Sequence, residues 1–190
     1  MDIILATTNP GKIQEFKDKF HNYNINFKSL ADIGFDEEIE ENGNTFLHNA
    51  LIKAKVIYEK YHLPTLADDS GLCVRALNYE PGIYSARYHG LQTAKERRLE
   101  VLKLMEGKTE RQAYFYCGLV YIDEDGVVTS FEGQINGYIG YEEKGENGFG
   151  YDPIFYLENG LSFAEISLEE KNKISHRAIA IKKFEDYLWS

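Results

Sequence analysis

The hydrophobic positions of this chain form continuous apolar runs and helical stripes. The runs, several rich in aromatic and β-branched side chains, predict strands. They lie at residues 2–6, 27–30, 64–68, 112–122, 127–134 and 137–142. The acidic turn at residues 123–126 is expected to fold residues 112–122 back on residues 127–134 as a hairpin, and residues 137–142 are expected to extend that sheet.

Apolar positions three and four residues apart predict helices. The helices are expected at residues 10 to about 21, 45–58, 92–106 and 175–188, with residues 72–77 forming a further extended or helical piece. Thr8 or Asn9 is the expected N-cap of the first helix, and Ser175 that of the last. Helices alternate with strands around at least one antiparallel hairpin. We therefore predict an α/β fold with a mixed sheet flanked by helices, in a single domain over residues 1–190.

Composition narrows the function classes. The 190 residues are 43% hydrophobic and 27% charged, and the formal net charge of −10 argues against broad nucleic-acid binding. A local cationic pocket for a small anion remains compatible with that charge. No apolar run approaches the roughly 20 residues of a membrane helix. Cys73 and Cys117 lie in apolar runs and are expected to be buried free thiols. The N-terminus lacks the basic start of a signal peptide, so a cytoplasmic location is the default expectation.

Carboxylates occur at two places suited to a cation. Asp68 and Asp69 follow the apolar run 63–67, and strand ends often hold ligands in α/β proteins. Taken alone, this pair also reads as a solvated turn. Glu40 and Glu41 precede a helix, where they either favour the helix terminus or supply a metal ligand. Magnesium needs only one or two protein carboxylates when phosphate oxygens are present.

Three further segments carry groups suited to a nucleotide. Residues 7–12 form a polar turn into a helix, whose backbone N–H groups favour phosphate, although no Walker A pattern is present. Residues 148–153 place two aromatic rings between glycines, either as a structural turn or as a base-stacking platform. Lys171, His176 and Arg177 are either an exposed basic stretch or donors to an anion or base carbonyl; as a pure donor, Arg177 would favour a 6-oxo purine over a 6-amino purine.

Together these blocks resemble the Ham1-like inosine triphosphate pyrophosphatases, also called XTP/dITP diphosphatases. The matching blocks are T-T-N-P-G-K (7–12), E-N-G-N-T-F (41–46), N-A-L-I-K-A-K (49–55), A-D-D-S-G-L (67–72), P-G-I-Y-S-A-R-Y-H-G (81–90), G-F-G-Y-D-P-I-F (148–155), A-E-I (164–166) and E-K-N-K-I-S-H-R (170–177). They follow the family's order over nearly the whole chain. The combination is far more specific than any single block.

The resemblance implies an activity and a set of partners. ITP, dITP and XTP would be hydrolysed to the monophosphate and pyrophosphate, which cleanses the nucleotide pool. It also implies Mg2+ as cofactor, an elongated fold with two lobes around a central cleft, and a homodimer.

The resemblance also assigns roles residue by residue. Asp69 matches the proton acceptor and a metal ligand, Glu41 the second metal ligand, and Lys53 a lysine near the phosphates. The remaining matches are substrate contacts: Thr7, Thr8, Asn9, Pro10, Gly11 and Lys12 in the phosphate turn, then Ser70, then Phe149, Gly150, Tyr151 and Asp152 in the base loop, then Lys171, His176 and Arg177. His48 departs from the family, since many relatives place Glu there.

Alternatives remain open at this stage. Asp69 is either the base or mainly a metal ligand, and Asp68 could share either role. A non-catalytic nucleotide sensor would need the lysines and the base loop but not the three acids. A Maf-like pyrophosphatase would prefer other bases, and the S-H-R block argues against it. A structural protein leaves the clustering of acids, lysines and rings unexplained.

Overall fold

The computed structural model describes all 190 residues. Its strands are β1 Asp2–Leu5, β2 Asn26–Ser29, β3 Thr65–Val74, β4 Gln112–Ile122, β5 Val128–Ile139 and β6 Phe155–Tyr156. Its helices are α1 Pro10–Lys19, α2 Phe46–Tyr61, α3 Ala94–Leu104, α4 Leu168–Ile174 and α5 His176–Leu188, with 3-10 segments at Arg75–Leu77, Gly82–Gly90 and Asp152–Ile154. None of the helices has the length and apolar character needed to cross a membrane.

The six strands form one mixed sheet in the order β2-β1-β3-β4-β5-β6. β1 is parallel to both β2 and β3, with Ile3 opposite Phe27 and Ile4 opposite Thr65. β6 is antiparallel to β5. The Asp123 carboxylate accepts the Val127 N–H in the short turn between β4 and β5. Because so short a connection can join only antiparallel neighbours, the predicted hairpin is confirmed.

Short side chains start the helices where the sequence placed them. The Asn9 side chain accepts the N–H groups of the first turn of α1, which decides between the two candidate caps. Thr45 accepts the His48 N–H at the start of α2. The Ser175 hydroxyl accepts the Ala178 N–H at the start of α5. Each cap gives a partner to a backbone donor that a helix leaves unpaired, which fixes the helix start.

The chain divides into two compact units, of which the first comprises residues 1–69, 117–132 and 180–190. This unit has two apolar cores, one on each face of β1. Ile3 packs with residues of α1 and α5, such as Phe16 and Phe184. Ile4 packs with residues of α2, such as Ala50. Neighbouring strand residues point to opposite faces, so β1 is apolar at successive positions because helices cover both faces.

The second unit comprises residues 70–116 and 133–179. Its single core includes Leu72 of β3, Val101 of α3 and Phe163 of the loop after β6. The rings of Phe115 and Phe155 lie 4.4 Å apart within it. The aromatic run of β4 therefore supplies core residues to this unit, as a half-buried strand should.

Two predictions about strand ends were wrong. The strand predicted at residues 64–68 continues through the acidic pair to Val74, so Asp68 and Asp69 lie within β3 and not after it. The runs at residues 127–134 and 137–142 form one strand that ends at Ile139. β3 continues through Gly71, and β5 continues through Gly133. Pairing with neighbouring strands keeps such polar and glycine positions extended, and the local sequence does not reveal that pairing.

One strand, β6, and one α-helix, α4, were not predicted, and neither were the 3-10 segments at Gly82–Gly90 and Asp152–Ile154. β6 has only two residues. α4 begins with a reciprocal capping box, in which Ser167 and Glu170 each accept the other's backbone N–H. That S-x-x-E signal is visible in the sequence. The ambiguous piece at residues 72–77 resolves into the end of β3 followed by a 3-10 turn.

Candidate active site

β3 carries Asp68, Asp69 and Ser70 at consecutive extended positions. Successive strand side chains point to opposite faces, so neighbouring residues meet different surroundings. Asp68 is only 2% exposed, whereas Asp69 and Ser70 are half-buried. The two acids, which were equivalent in the sequence, are therefore distinct in the structure.

Asp68 is neutralised by Lys12, a lysine of the turn at residues 7–12. The Lys12 ammonium lies 3.0 Å from the Asp68 carboxylate, and both side chains are largely buried. Breaking one partner of such a buried pair costs about 3–5 kcal/mol, because the other charge is left uncompensated. Asp68 therefore holds Lys12 in place, which leaves its neighbour Asp69 as the more available acid.

Lys53 of α2 links the two acidic segments of the first unit. Its ammonium donates to the Asp68 backbone carbonyl at 2.6 Å and lies 3.0 Å from the Glu41 carboxylate. Burial lowers the pKa of Lys53, but the charges of Asp68, Glu41 and Asp69 outweigh burial and leave the pKa raised. Lys53 is therefore a fixed cation between carboxylates. Glu40, the other candidate acid, is exposed.

Asp69 is the acid without a compensating contact. Its pKa is raised to about 6, because burial, together with the charges of Glu41 and Asp68, outweighs the opposing charges of Lys53 and Lys12. Its Oδ2 atom is buried and has no hydrogen-bond partner. A buried carboxylate oxygen in this state favours either a proton or a cation.

The carboxylates fit a magnesium ion that is only partly held by protein. Glu41 and Asp69 supply hard oxygen ligands, and the buried Asp69 Oδ2 needs a positive partner. No group of three or more acidic, histidine or cysteine side chains is gathered tightly enough to hold a metal alone. Magnesium commonly takes one or two carboxylates and completes its shell with water and phosphate oxygens. The donor set therefore fits this cation when a polyphosphate is also bound.

The turn at residues 7–12 differs from the expected nest of free backbone donors. The Asn9 side chain already accepts the N–H groups of Gly11 at 2.9 Å and Lys12 at 3.3 Å. Thr7 accepts the Asn9 N–H through its hydroxyl oxygen, which leaves the hydroxyl hydrogen to donate elsewhere. An anion at this turn would therefore meet side chains, chiefly the hydroxyls of Thr7 and Thr8 and the Lys12 ammonium.

In the second unit, Asp152 organises the aromatic loop. Its carboxylate accepts the Phe149 N–H at 2.9 Å and the Lys171 ammonium at 2.8 Å. Gly148 has φ +71°, and a Cβ on it would lie 2.1 Å from the Asp152 carboxylate. Only glycine fits there, because the carboxylate must approach the backbone closely. Lys171 and Asp152 are both almost fully buried.

Phe149 lies beside two cations. The Lys171 ammonium is 4.4 Å from the centre of its ring, and the Arg177 guanidinium carbon is 5.9 Å from it. Arg177 also donates to the Ser70 hydroxyl at 2.6 Å. The fold therefore gathers Ser70, Phe149, Asp152, Lys171 and Arg177, which come from three distant parts of the sequence. Half-buried Phe149 combines a ring with adjacent donors, as recognition of a purine requires.

Two predicted contact residues have their side chains in the core. Tyr151 is buried, donates its hydroxyl to the Ser85 carbonyl at 2.7 Å, and has a pKa well above its usual range because of burial. The His176 ring stacks on Phe115 with 4.8 Å between ring centres. Gly150, with φ +63°, shapes the loop through its backbone. Tyr151 therefore supports the loop from beneath, which the sequence alone did not distinguish from a stacking role.

The sequence reasoning missed two structural contributors. Ser85 accepts the Leu72 N–H at 3.0 Å and donates to the Gly82 carbonyl at 2.6 Å, which ties the 3-10 segment to β3. Asn49 of α2 accepts the Gly43 N–H at 2.8 Å, which ties the loop before α2 to that helix. No periodicity reveals such contacts, because they depend on where a loop meets an element.

The protein is thus of the mixed α/β class. Carboxylates pair with Lys12 and Lys53 in its first unit, and Arg177 lies beside Phe149 in its second unit. A model of the Ham1 family matches residues 3–187, and the chain belongs to this family. It is similar to dITP/XTP pyrophosphatases of Thermoanaerobacter sp. strain X514, at 46% identity over 99% of this chain and 96% of the relative, and of Bacillus subtilis strain 168, at 45% over 98% and 96%. It is also similar to the solved structure of a HAM1 protein from Coxiella burnetii, with TM-score 0.90 and 38% identity over 99% of this chain and 98% of that one.

Proposed function

We propose that this protein hydrolyses ITP, dITP and XTP to the nucleoside monophosphate and pyrophosphate. Relatives named dITP/XTP pyrophosphatase match it at about 45% identity over nearly their whole length. The observation that carries the proposal is the cluster of Glu41, Asp68 and Asp69 with Lys12 and Lys53. Cations beside an available carboxylate suit hydrolysis of a phosphoanhydride, in which negative charge develops on phosphate oxygens.

Magnesium is the proposed cofactor, with Glu41 and Asp69 as its protein ligands. The buried, unpartnered Asp69 oxygen supports this assignment. When bound, the ion would neutralise phosphate charge and lower the pKa of a nearby water. The raised pKa of Lys53 keeps its ammonium charged, and the Lys53 and Lys12 side chains would attract the remaining phosphate oxygens.

Asp69 is proposed to accept the proton of the attacking water. In the metal-free protein, a pKa of about 6 gives its carboxyl group more proton affinity than an ordinary aspartate while leaving it largely ionised at neutral pH. Asp68 is a weaker candidate for this role, because Lys12 already holds its carboxylate. Lys53 would also orient Asp68 through its backbone carbonyl and thereby fix the strand that carries Asp69.

Base selection is proposed for the second unit. Phe149 would stack on the purine, and Lys171 and Arg177 would donate to its 6-oxo group. An amino group at the same position would leave buried donors facing other donors, a mismatch that costs about 1–3 kcal/mol for each unpaired group. The Ser70 hydroxyl accepts a hydrogen bond from Arg177 and would help to orient the guanidinium toward the substrate.

The deciding experiment is product analysis on a panel of dITP, XTP, dUTP, dTTP, dGTP and dATP, with Mg2+ and with EDTA. Pyrophosphate plus monophosphate from dITP and XTP, only with Mg2+, is the expected result. Asp69→Asn should abolish turnover while the protein stays folded. Release of inorganic phosphate, or preference for a pyrimidine, would overturn the proposal; nucleotide binding without turnover would favour a sensor.

The oligomeric state and the cellular location are also proposed. A homodimer is proposed from the family resemblance, and light scattering should then give twice the chain mass of 21.9 kDa. A mass equal to one chain would reject it. A cytoplasmic location is proposed because the substrates would belong to the nucleotide pool.

A further inference from the structure

A buried contact connects α2 to the segment that carries Glu41. The Asn49 side chain is 1% exposed, and its carbonyl oxygen accepts the Gly43 N–H at 2.8 Å. Gly43 is itself buried. A Cβ on Gly43 would lie 2.7 Å from this Asn49 oxygen and 2.9 Å from the His48 ring. The backbone therefore approaches α2 so closely that any larger residue at position 43 would displace the Asn49 or His48 side chain.

A second polar contact also attaches the Glu41 segment to the same helix. Gly43 is two residues after Glu41, and Asn49 is one helical turn before Lys53, which contacts the Glu41 carboxylate. α2 thus holds the segment through its backbone at Asn49 and through its carboxylate at Lys53.

The two attachments respond differently to a cation. A divalent ion bound to Glu41 would compete with the Lys53 ammonium for the same carboxylate, because both carry positive charge. The bond between Asn49 and Gly43 joins neutral groups and is buried, so the ion does not weaken it. The hydrogen bond between Gly43 and Asn49 therefore persists when a cation replaces Lys53 at the Glu41 carboxylate.

We propose that Asn49 is a positioning residue for the metal site, which holds the Glu41 segment against α2 so that the Glu41 carboxylate is placed for a divalent cation. This inference depends on the proposed function, since it takes Glu41 as a metal ligand. Asn49 does not contact the metal or the nucleotide in this scheme. Partners that orient metal ligands typically change metal affinity about 10–100-fold when they are removed.

The test is Mn2+ binding, measured by electron paramagnetic resonance on protein saturated with an ITP analogue that has a methylene bridge between its α and β phosphates. Asn49→Ala should weaken Mn2+ binding at least about 10-fold. Asn49→Asp keeps an oxygen acceptor for the Gly43 N–H and should retain affinity within about 3-fold of the unchanged protein. Unchanged Mn2+ affinity in Asn49→Ala would overturn the inference.

A second variant approaches the same contact from the other side. Gly43→Ala should displace the Asn49 amide and weaken Mn2+ binding as Asn49→Ala does. Because both changes remove one contact, the double variant should lose less affinity than the sum of the two single losses. Fully additive losses would show that the two residues act separately, and would contradict the proposal.

Tyr23→Phe is the matched control for a purely structural effect. Tyr23 donates to the Glu185 carboxylate, also within the first unit, so its removal should lower stability without changing Mn2+ affinity. If Tyr23→Phe and Asn49→Ala lower the melting temperature equally and leave Mn2+ binding equally unaffected, Asn49 is only structural.

Pyrophosphate release by the unchanged protein distinguishes failure of the Asn49 positioning role from failure of the proposed function. If the unchanged protein hydrolyses dITP and binds Mn2+ but Asn49→Ala binds Mn2+ equally well, only the positioning role fails. If the unchanged protein neither turns over dITP nor binds Mn2+, the proposed function fails, and the positioning role fails with it.

Discussion

The carboxyl group of Asp69 is held where burial disfavours its charge. Its ordinary pKa of 3.8 rises to about 6, because burial outweighs the attraction of Lys53 and Lys12. Its neighbour Asp68 is more deeply buried but has a direct ion pair with Lys12. Two adjacent residues of one type thus differ in what they contribute: Asp68 stabilises the folded chain, and Asp69 opposes folding until a cation or a proton arrives.

This difference predicts opposite stability effects in metal-free protein. The folded-state pKa of Asp69 is raised, so its favourable contribution is complete below pH 3.8 and is lost as pH rises from 3.8 through 6. Asp69→Asn should therefore raise the free energy of unfolding at pH 7.5 by about 1–3 kcal/mol in EDTA, and by almost nothing near pH 4. Urea titrations at the two pH values measure it.

Asp68→Asn is the control for that experiment. It removes the partner of the buried Lys12 and should lower stability by about 3 kcal/mol or more at pH 7.5. Loss of stability in both variants would mean that Asp69 is compensated in the folded protein, contrary to its unpartnered oxygen.

Arg177 carries the residue-scale prediction about selectivity. It is 2% exposed and lies beside Phe149 and Ser70. Arg177→Ala should reduce the ratio of kcat/KM for dITP over dATP at least about 10-fold, because a buried donor that rejects the amino purine is gone. Lys173→Ala removes an exposed cation paired only with Glu169 in α4 and should leave the ratio unchanged. An unaltered ratio in Arg177→Ala would remove this residue from base selection.

At the scale of elements, α4 and the aromatic loop are joined by one buried ion pair. Lys171 of α4 and Asp152 of the adjoining 3-10 segment are each almost fully buried, with 2.8 Å between their charged atoms. The Asp152 carboxylate also accepts the Phe149 N–H. The position of the ring thus depends on a seven-residue helix that is too short to be stable alone.

A double-mutant cycle tests this link. Asp152→Asn and Lys171→Met should each lower the free energy of unfolding by about 3–5 kcal/mol, since each leaves a buried charge unpaired. The double variant should lose less than the sum by at least about 1 kcal/mol. Guanidinium titrations provide the four free energies, and simple additivity would mean that the two groups do not interact across this contact.

At the scale of the whole molecule, charge is distributed unevenly. The chain carries a formal net charge of −10, yet its buried sites include Lys12, Lys53, Lys171 and Arg177. A small anion can use such enclosed cations, whereas a long polyanion meets the acidic exterior. We therefore expect the net charge to disfavour binding of nucleic acids.

This charge predicts no saturable binding of DNA. A fluorescein-labelled duplex of about 20 base pairs should show no anisotropy change with micromolar protein at about 0.15 M salt, because nucleic-acid affinity depends on phosphate neutralisation by a basic surface. A labelled ITP analogue with Mg2+ is the positive control. Salt-sensitive binding of the duplex would contradict this reading of the charge.

Much of the fold followed from local chemistry in the sequence. Continuous apolar runs located β1 and β4, and Asn9, Thr45 and Ser175 fixed helix starts, because a cap acts on backbone groups two or three residues away. Strand ends were not local in this sense. β3 and β5 pass through polar and glycine positions because neighbouring strands supply hydrogen bonds that the local sequence does not encode.

The site divides along the same line. The sequence by itself determined which chemical groups are available, namely the acids near residues 41 and 69, the lysines and the arginine, together with the family that they indicate. Only the tertiary structure decided that Lys12 pairs with Asp68 and not with Asp69. It also decided that Tyr151 lies in the core while Phe149 contacts Lys171. The hydrogen bond from Gly43 to Asn49 was likewise visible only in the structure. The physical reason is that burial and pairing set the charge state of each group, and both depend on residues distant in the chain.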